Sequence, residues 1–326
     1  MRKITSKLLI ALLTLTFCTS VFAITIESKK QEIDLGNNKG FFEGDVKVQV
    51  GDVIVTSPKA DLDLEPETKK PSLATFLEKP YAYQIKGSKK HEVKADIIKV
   101  SLINKIITAE GSAQSNVLDN SQPLIIITAD LQEYDTKTNL MKAVGSVIIN
   151  YEDMVATSDN AFALLDKNGD LQNMKLVSKA ILKQDKSIIK GDNVQYSKLK
   201  QDIIVSGNTM SDITFENGDR VIIYARNQQY DRKSNIMMAI GDVKVKYGKY
   251  DAKGPKAVMY INSKTNKPEK IVFLGRSKIT EQGVNSVEAD KITLTMQPQT
   301  FEAVGKVKTQ LEQNSKPSKN EMEFSL

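Results

Sequence analysis

The sequence predicts an all-β protein built from repeated strand pairs, and three observations carry that prediction. Apolar and polar residues alternate with period 2 in runs such as Val46-Lys-Val-Gln-Val50, Val243-Lys-Val-Lys-Tyr247 and Lys306-Val-Lys-Thr-Gln-Leu311, the pattern of half-buried strands. Turn residues separate such runs at short intervals: Asn37-Asn38, Asn168-Gly169 and Asn217-Gly218 suit the left-handed turns of hairpins. Helical periodicity of useful length is absent beyond residue 23.

The first element, residues 1–23, reads as a secretory signal peptide. Arg2, Lys3 and Lys7 precede the apolar stretch Leu8 to Cys18, and Val21-Phe-Ala23 supplies small or aliphatic residues for cleavage before Ile24. Phe17 before Cys18 argues against a lipoprotein site. An uncleaved anchor stays open as the other reading, because Leu8 to Ile26 is mostly apolar and long enough to reach across a bilayer. Cleavage removes three basic residues and no acid, lowering the formal charge from +6 to +3. The remaining lysines are interleaved with Asp and Glu, so nucleic acid is not an expected partner.

Composition excludes much chemistry. With Cys18 and His91 the only residues of their kinds, one chain cannot assemble a Cys/His zinc site, a Cys-x-x-Cys pair or an iron–sulfur cluster. No cofactor or metal is expected. His91 lies in the polar stretch Lys89-Lys-His91-Glu92 and reads as a solvent-facing surface histidine.

The body of the chain, residues 24–312, is repetitive. An Ala-Asp pair or close variant is followed at a fixed distance by a glycine: Asp96 and Gly111, Asp130 and Gly145, Asp192 and Gly207, Arg226 and Gly241, and Asp290 and Gly305 are all 15 apart. A shift of 96 superimposes Tyr134-Asp135 on Tyr230-Asp231, Asn139 on Asn235, Ala143 on Ala239, Gly145 on Gly241 and Tyr151 on Tyr247. Gly44-Asp-Val-Lys-Val48 is identical to Gly241-Asp-Val-Lys-Val245. Three units of about 32 residues therefore make one superrepeat, and nearly nine units fill residues 28 to 311.

Each unit has a physical reading. In Met141 to Tyr151 one face carries Met141, Ala143, Gly145, Val147, Ile149 and Tyr151, expected to point inward. A mid-strand glycine costs stability, so it marks a bend or bulge. The Ala-Asp pair is expected at an entry turn, Ala inward and Asp bonding local amides. These acids are spread evenly along the chain instead of gathered in pairs, which argues against catalysis.

The signature Ala129-Asp130, then Tyr134-Asp-Thr-Lys-Thr-Asn139, then Ala143-Val-Gly-Ser-Val147, repeated as Ala289-Asp290 to Ala303-Val-Gly-Lys-Val307, resembles the OstA-like, LptA-type lipopolysaccharide-transport family. The resemblance covers nearly the whole chain after residue 23, although the chain is nearly twice the usual length and lacks a clean Ala-x-Gly around Ser178 and Gly275. It implies an elongated, twisted β-jellyroll, or two fused jellyrolls, located in the periplasm. It also implies a non-enzymatic role: an apolar groove holding the acyl chains of lipopolysaccharide (lipid A), with end-to-end strand addition to an inner-membrane transporter, an outer-membrane translocon and other copies of the chain. The lining residues implied are Phe42, Val46, Val48, Ala143, Val147, Ile149, Ala239, Val243, Val245, Phe301 and Val307. A packed core is the competing reading for the same residues. Lys47, Lys244, Lys246 and Lys306 alternate with them, either at a phosphate-binding rim or simply solvated. The polar tail, residues 313–326, is either a disordered terminus or a cover limiting strand addition. A membrane-anchored component of the same pathway and a surface repeat protein with no lipid ligand are the alternatives.

Overall fold

The computed structural model describes residues 24–311 apart from 51, 52, 87, 88, 136, 152, 153, 166–170, 216, 217 and 297. The leader, the tail and the Asn168-Gly169 turn lie outside the described residues, as does Asn217.

The described residues form 22 strands and no helix. In chain order these are β1 (Ile24–Glu27), β2 (Lys30–Asp34), β3 (Lys39–Val50), β4 (Val53–Leu64), β5 (Pro71–Leu77), β6 (Tyr81–Lys86), β7 (Lys89–Lys94) and β8 (Ile97–Ser101). Then follow β9 (Ile106–Asp119), β10 (Gln122–Asp135), β11 (Leu140–Tyr151), β12 (Met154–Leu165), β13 (Leu171–Gln184), β14 (Ser187–Ser197) and β15 (Asp202–Thr214). The last are β16 (Arg220–Asp231), β17 (Ile236–Tyr247), β18 (Tyr250–Ile261), β19 (Pro268–Glu281), β20 (Asn285–Met296), β21 (Gln299–Val304) and β22 (Lys308–Gln310). All belong to one antiparallel sheet, in which β9 to β20 each pair with the next strand in sequence. Near the ends single rungs are split in two: β1 and β2 lie along β3, β5 and β6 along β4, β7 and β8 along β9, and β21 and β22 along β20.

Every second rung turns a corner in mid-length. The pairs Gly44/Asp45, Glu78/Lys79, Gly111/Ser112, Gly145/Ser146, Ser178/Lys179, Gly207/Asn208, Gly241/Asp242 and Gly305/Lys306 all have positive φ, and Gly275 supplies a ninth corner alone. Two left-handed residues in succession break the pleat, and the pairing register shifts there, as between Val144 and Val147 of β11. Residues on both sides of a corner share one core: Phe42, before Gly44, packs in the same cluster as Val46 and Val48. The sheet is thus folded over on itself with its apolar face inside. In β11 the face expected to be inward is inward, with Met141, Ala143, Val147 and Tyr151 buried and Ile149 half-buried.

The corners explain the 15-residue spacing and correct one expectation. Ala129-Asp130 is not at an entry turn; it sits mid-strand in β10, where Asp130 lies across the corner glycine of β11 and would collide with any Cβ on Gly145. Asp96 over Gly111, Asp192 over Gly207 and Asp290 over Gly305 repeat the arrangement. The backbone joins it, since the Asp96 and Asp290 N–H groups donate to the carbonyls of Gly111 (2.9 Å) and Gly305 (2.8 Å). Where the covering residue is basic the charge is answered locally: Lys29 over Gly44 pairs with Asp45 at 2.7 Å, and Arg226 over Gly241 pairs with Asp242 at 2.7 Å. Ser178 and Lys179 make a corner without glycine, held by Asp159, which accepts from Ser178 Oγ at 2.7 Å and pairs with Lys179 at 3.3 Å.

Three further expectations change. His91 is not solvated: it is 7% exposed and faces inward opposite Gln84 and Val117, because β7 alternates His91 and Val93 into the core. Phe301 and Val307 are not enclosed, being 48% and 51% exposed. Phe301 does share the inward side of buried Leu294, its pairing partner, but among the described residues no rung follows β21 to cover it.

Candidate functional site

The interior is divided into three apolar clusters. An N-terminal cluster around Phe42, Phe76 and Ile98 touches a middle cluster of Ala143, Val147, Leu176 and Val205 through the shared neighbours Ile149, Met174 and Leu182. The C-terminal cluster, around Ile213, Phe215, Val243 and Phe273, shares no such neighbour among the described residues. In the gap between the middle and C-terminal clusters lies a cavity of about 650 Å³. Leu182, Ile189, Ile203 and Val205 form one wall, and Ile213, Phe215, Met237 and Ile261 the other. A second apolar cavity, about 180 Å³, sits at the N-terminal end beside Ile24, Phe42, Val48 and Phe76.

The local sequence departs from the other units there. The corners at 178 and 207 are 29 residues apart, against 33 or 34 between most other neighbours, so this unit is short. Gly191 replaces the inward alanine found at Ala95, Ala129, Ala225 and Ala289, and a Cβ on it would meet Val205 Cγ1 at 2.6 Å. The close approach of β14 and β15 therefore excludes a side chain at that point of the interior.

Polar groups inside the cavity are spent on the corner. Ser211 Oγ donates to Gln228 Oε1 at 2.8 Å, while Gln228 Nε2 donates to Thr209 Oγ1 at 2.8 Å and to the Ile223 carbonyl at 3.2 Å. The arrangement recurs 96 residues earlier: Ser115 Oγ donates to Gln132 Oε1, and Gln132 Nε2 reaches the carbonyls of Ile127 at 3.1 Å and Ala113 at 3.0 Å. Each glutamine thus satisfies a carbonyl freed by the register shift, as a buried polar group must. At the mouth stand the turn residues Asp185 and Lys186, with Ser187 Oγ accepting from the Thr214 N–H at 3.2 Å. Nearby, Arg220 holds the Asp212 carboxyl below its ordinary range through two hydrogen bonds of 2.8 and 2.7 Å. Burial raises the phenol of Tyr230, whose hydroxyl donates to Asn235 Oδ1 at 3.4 Å. Among the described residues no group of three His, Cys, Asp or Glu is placed to hold a metal ion.

Such a space cannot be a sealed void. At ~24 cal/mol per Å³ an empty apolar cavity of this volume would cost on the order of 15 kcal/mol, as much as the whole stability of an ordinary domain. It is compatible with folding as a groove open at its mouth or filled by a guest, and its volume is that of a small-molecule site, about 300–1,000 Å³.

Among the residues expected to line a groove, Phe42 and Val48 border the N-terminal cavity, with buried Val46 in the same cluster. Ala143, Val147 and Ile149 belong to the middle cluster or pack against it, and Ala239, Val243 and Val245 are buried in the C-terminal one. None of these touches the large cavity. Its walls come from β13 to β18, across several units, where the apolar run Ile203-Ile-Val205 and the alternating Ile213-Thr-Phe215 were the available signal.

Residues 222–323 match a protein-family model described as LptA/(LptD N-terminal domain) LPS transport protein, in agreement with the OstA/LptA-type resemblance of the repeats. No curated protein matches the chain. Among solved structures it is similar to LptH, the LptA homologous periplasmic component of the conserved lipopolysaccharide transport device from Pseudomonas aeruginosa. That likeness is 16% in sequence identity and 0.32 in TM-score, and it covers 37% of this chain and 82% of the other.

Proposed function

We propose that this chain is a non-enzymatic periplasmic lipopolysaccharide-transport protein that carries acyl chains in the folded-over interior of its sheet, with the cavity between β13 and β18 as the principal lipid site. The observation that carries this reading is an open apolar space of about 650 Å³ inside a repeat array whose C-terminal third matches an LPS-transport family. Each methylene withdrawn from water there contributes about 0.8 kcal/mol, while Asp185, Lys186 and Arg220 keep the mouth polar for a head group. The N-terminal cavity, with Phe42 and Val48, extends the path, and the clusters containing Val46, Ala143, Val147, Ile149, Ala239, Val243 and Val245 form its walls. Phe301 and Val307 receive the lipid at the open C-terminal end.

The ends supply the bridging function. β1 with β2, and β21 with β22, are terminal rungs with exposed apolar residues, including Ile33 at 60% and Phe301 at 48%. Among the described residues each of these rungs is paired along one side only, and the other edge accepts a strand from a transporter, a translocon or another copy of the chain.

The test is a photocrosslinking residue at Phe215, exposed to lipopolysaccharide with and without Ile189→Asp and Ile203→Asp. Both isoleucines are half-buried cavity residues, so the fold survives while the groove becomes charged. Loss of lipid capture with unchanged far-UV circular dichroism is expected; undiminished capture overturns the assignment.

A further inference from the structure

The outer face of β17, β18 and β19 has a character that carrying lipid inside does not require. Met238, Val258 and Val272 pair in one row across the three strands, and Ile240, Lys256 and Leu274 in the next. Their neighbours in sequence, Met237, Ala239, Ala257, Met259, Ile271 and Phe273, are the buried inward residues, so alternation turns the first set outward. Val258 and Val272 are only 9% exposed, so the apolar surface that this face offers to solvent is that of Ile240, 43% exposed, with half-buried Met238 and Leu274 beside it. Contiguous apolar surface on the solvent side of a sheet marks an interaction site.

Its surroundings are cationic. Lys244 stands directly opposite Lys253, which stands opposite Lys278, a like-charge row across adjacent strands that is destabilising by itself. Lys278 has Glu288 at 3.6 Å, whereas Lys244, Lys253, Lys256 and Lys291 make no ion pair among the described residues. Lys270 lies 4.7 Å over the Tyr260 ring at the far edge. An apolar centre rimmed by unmatched lysines, with a tyrosine at the border, is the surface chemistry that seats a protein on anionic lipid head groups.

We infer that the outer face of β17–β19 docks on an anionic phospholipid surface, with Met238, Ile240 and Leu274 entering the head-group boundary and the lysines neutralised by phosphates. This is a contact separate from the interior lipid site and independent of it. Close pairing of Lys244 with Lys253 ceases to be a penalty once anions lie between them, and the chain is then held broadside to a membrane.

The test is co-sedimentation of the full chain with phosphatidylcholine vesicles, with and without phosphatidylglycerol, and without lipopolysaccharide. Binding is expected only to the anionic vesicles, reduced at least tenfold by Lys244→Glu with Lys253→Glu and again by Ile240→Ser, and abolished by high salt. The cavity variant Ile189→Asp with Ile203→Asp should bind vesicles as the parent does, which separates this face from the groove. Equal binding by the lysine variants, or equal binding to both vesicle types, overturns the proposal. So does a self-association seen by light scattering that Ile240→Ser removes, since the face would then be a protein interface.

Discussion

Asp130 of β10 covers Gly145 of β11 so closely that the corner has no space for a side chain, and Gly145 has a φ of 79°. Chain direction and side-chain exclusion are coupled at this one contact.

Gly145→Ala should therefore destabilise the protein by about 2–3 kcal/mol in urea unfolding. A non-glycine residue in the left-handed region costs ~1–2 kcal/mol, and the displaced Asp130 adds the remainder. In an Asp130→Gly background, which also removes the Cβ of residue 130 from the corner, the penalty should shrink towards the backbone value alone. An unchanged penalty would show that the two residues are energetically independent.

Gln228→Leu should cost about 3 kcal/mol, because it strands the Ser211 hydroxyl and the Ile223 carbonyl and removes the donor to Thr209 Oγ1, and each buried unsatisfied group costs ~1–3 kcal/mol. Gln132→Leu should behave alike, being the same device one superrepeat earlier. The exposed Gln195→Ala is the control, expected within about 0.5 kcal/mol of the parent by thermal melting.

Acid should release the clamp on the outer face of β6 and β7. Burial pushes the Glu92 carboxyl up, but hydrogen bonds from Lys90 at 2.7 Å and from the Tyr81 hydroxyl hold it below its ordinary value. A depressed folded-state pKa stabilises above the unfolded carboxylate range, near pH 4.3, and that stability is lost as pH falls through the lower folded value. The urea midpoint of the parent should drop more steeply between pH 5 and pH 2 than that of Glu92→Gln. Parallel pH profiles would show that Glu92 contributes nothing.

Phe301→Glu with Val304→Glu should lower the concentration-dependent mass measured by light scattering, without altering the melting temperature by more than a few degrees. Both side chains are about half exposed on the terminal β21. A mass unaffected by the charges would remove this end from the assembly proposal.

Much of the fold was legible because the bends use glycine, which has a name in the sequence: Gly44, Gly111, Gly145, Gly207, Gly241 and Gly305 announce corners, and alternation about them gives the inward face. Ser178 and Lys179 hid theirs, since the same backbone is adopted by residues that ordinarily avoid it and is held by Asp159, a contact made by a neighbouring strand. The large cavity was hidden for a related reason. It lies beside a shortened unit, which carries the tightly packed Gly191 where other units carry an inward alanine. His91 escaped because its polar neighbours mask a strand whose inward positions carry His91 and Val93.

The paired rungs have a geometric corollary. Neighbouring strands are spaced about 5 Å apart, so a 96-residue block of six rungs adds roughly 30 Å to the stack. Duplicating or deleting one block would leave each remaining rung with the same kind of neighbours, apart from the new junction. The stack is thus a ruler graduated in superrepeats, and its length can be reset, by evolution or by a protein engineer, without redesigning a single corner.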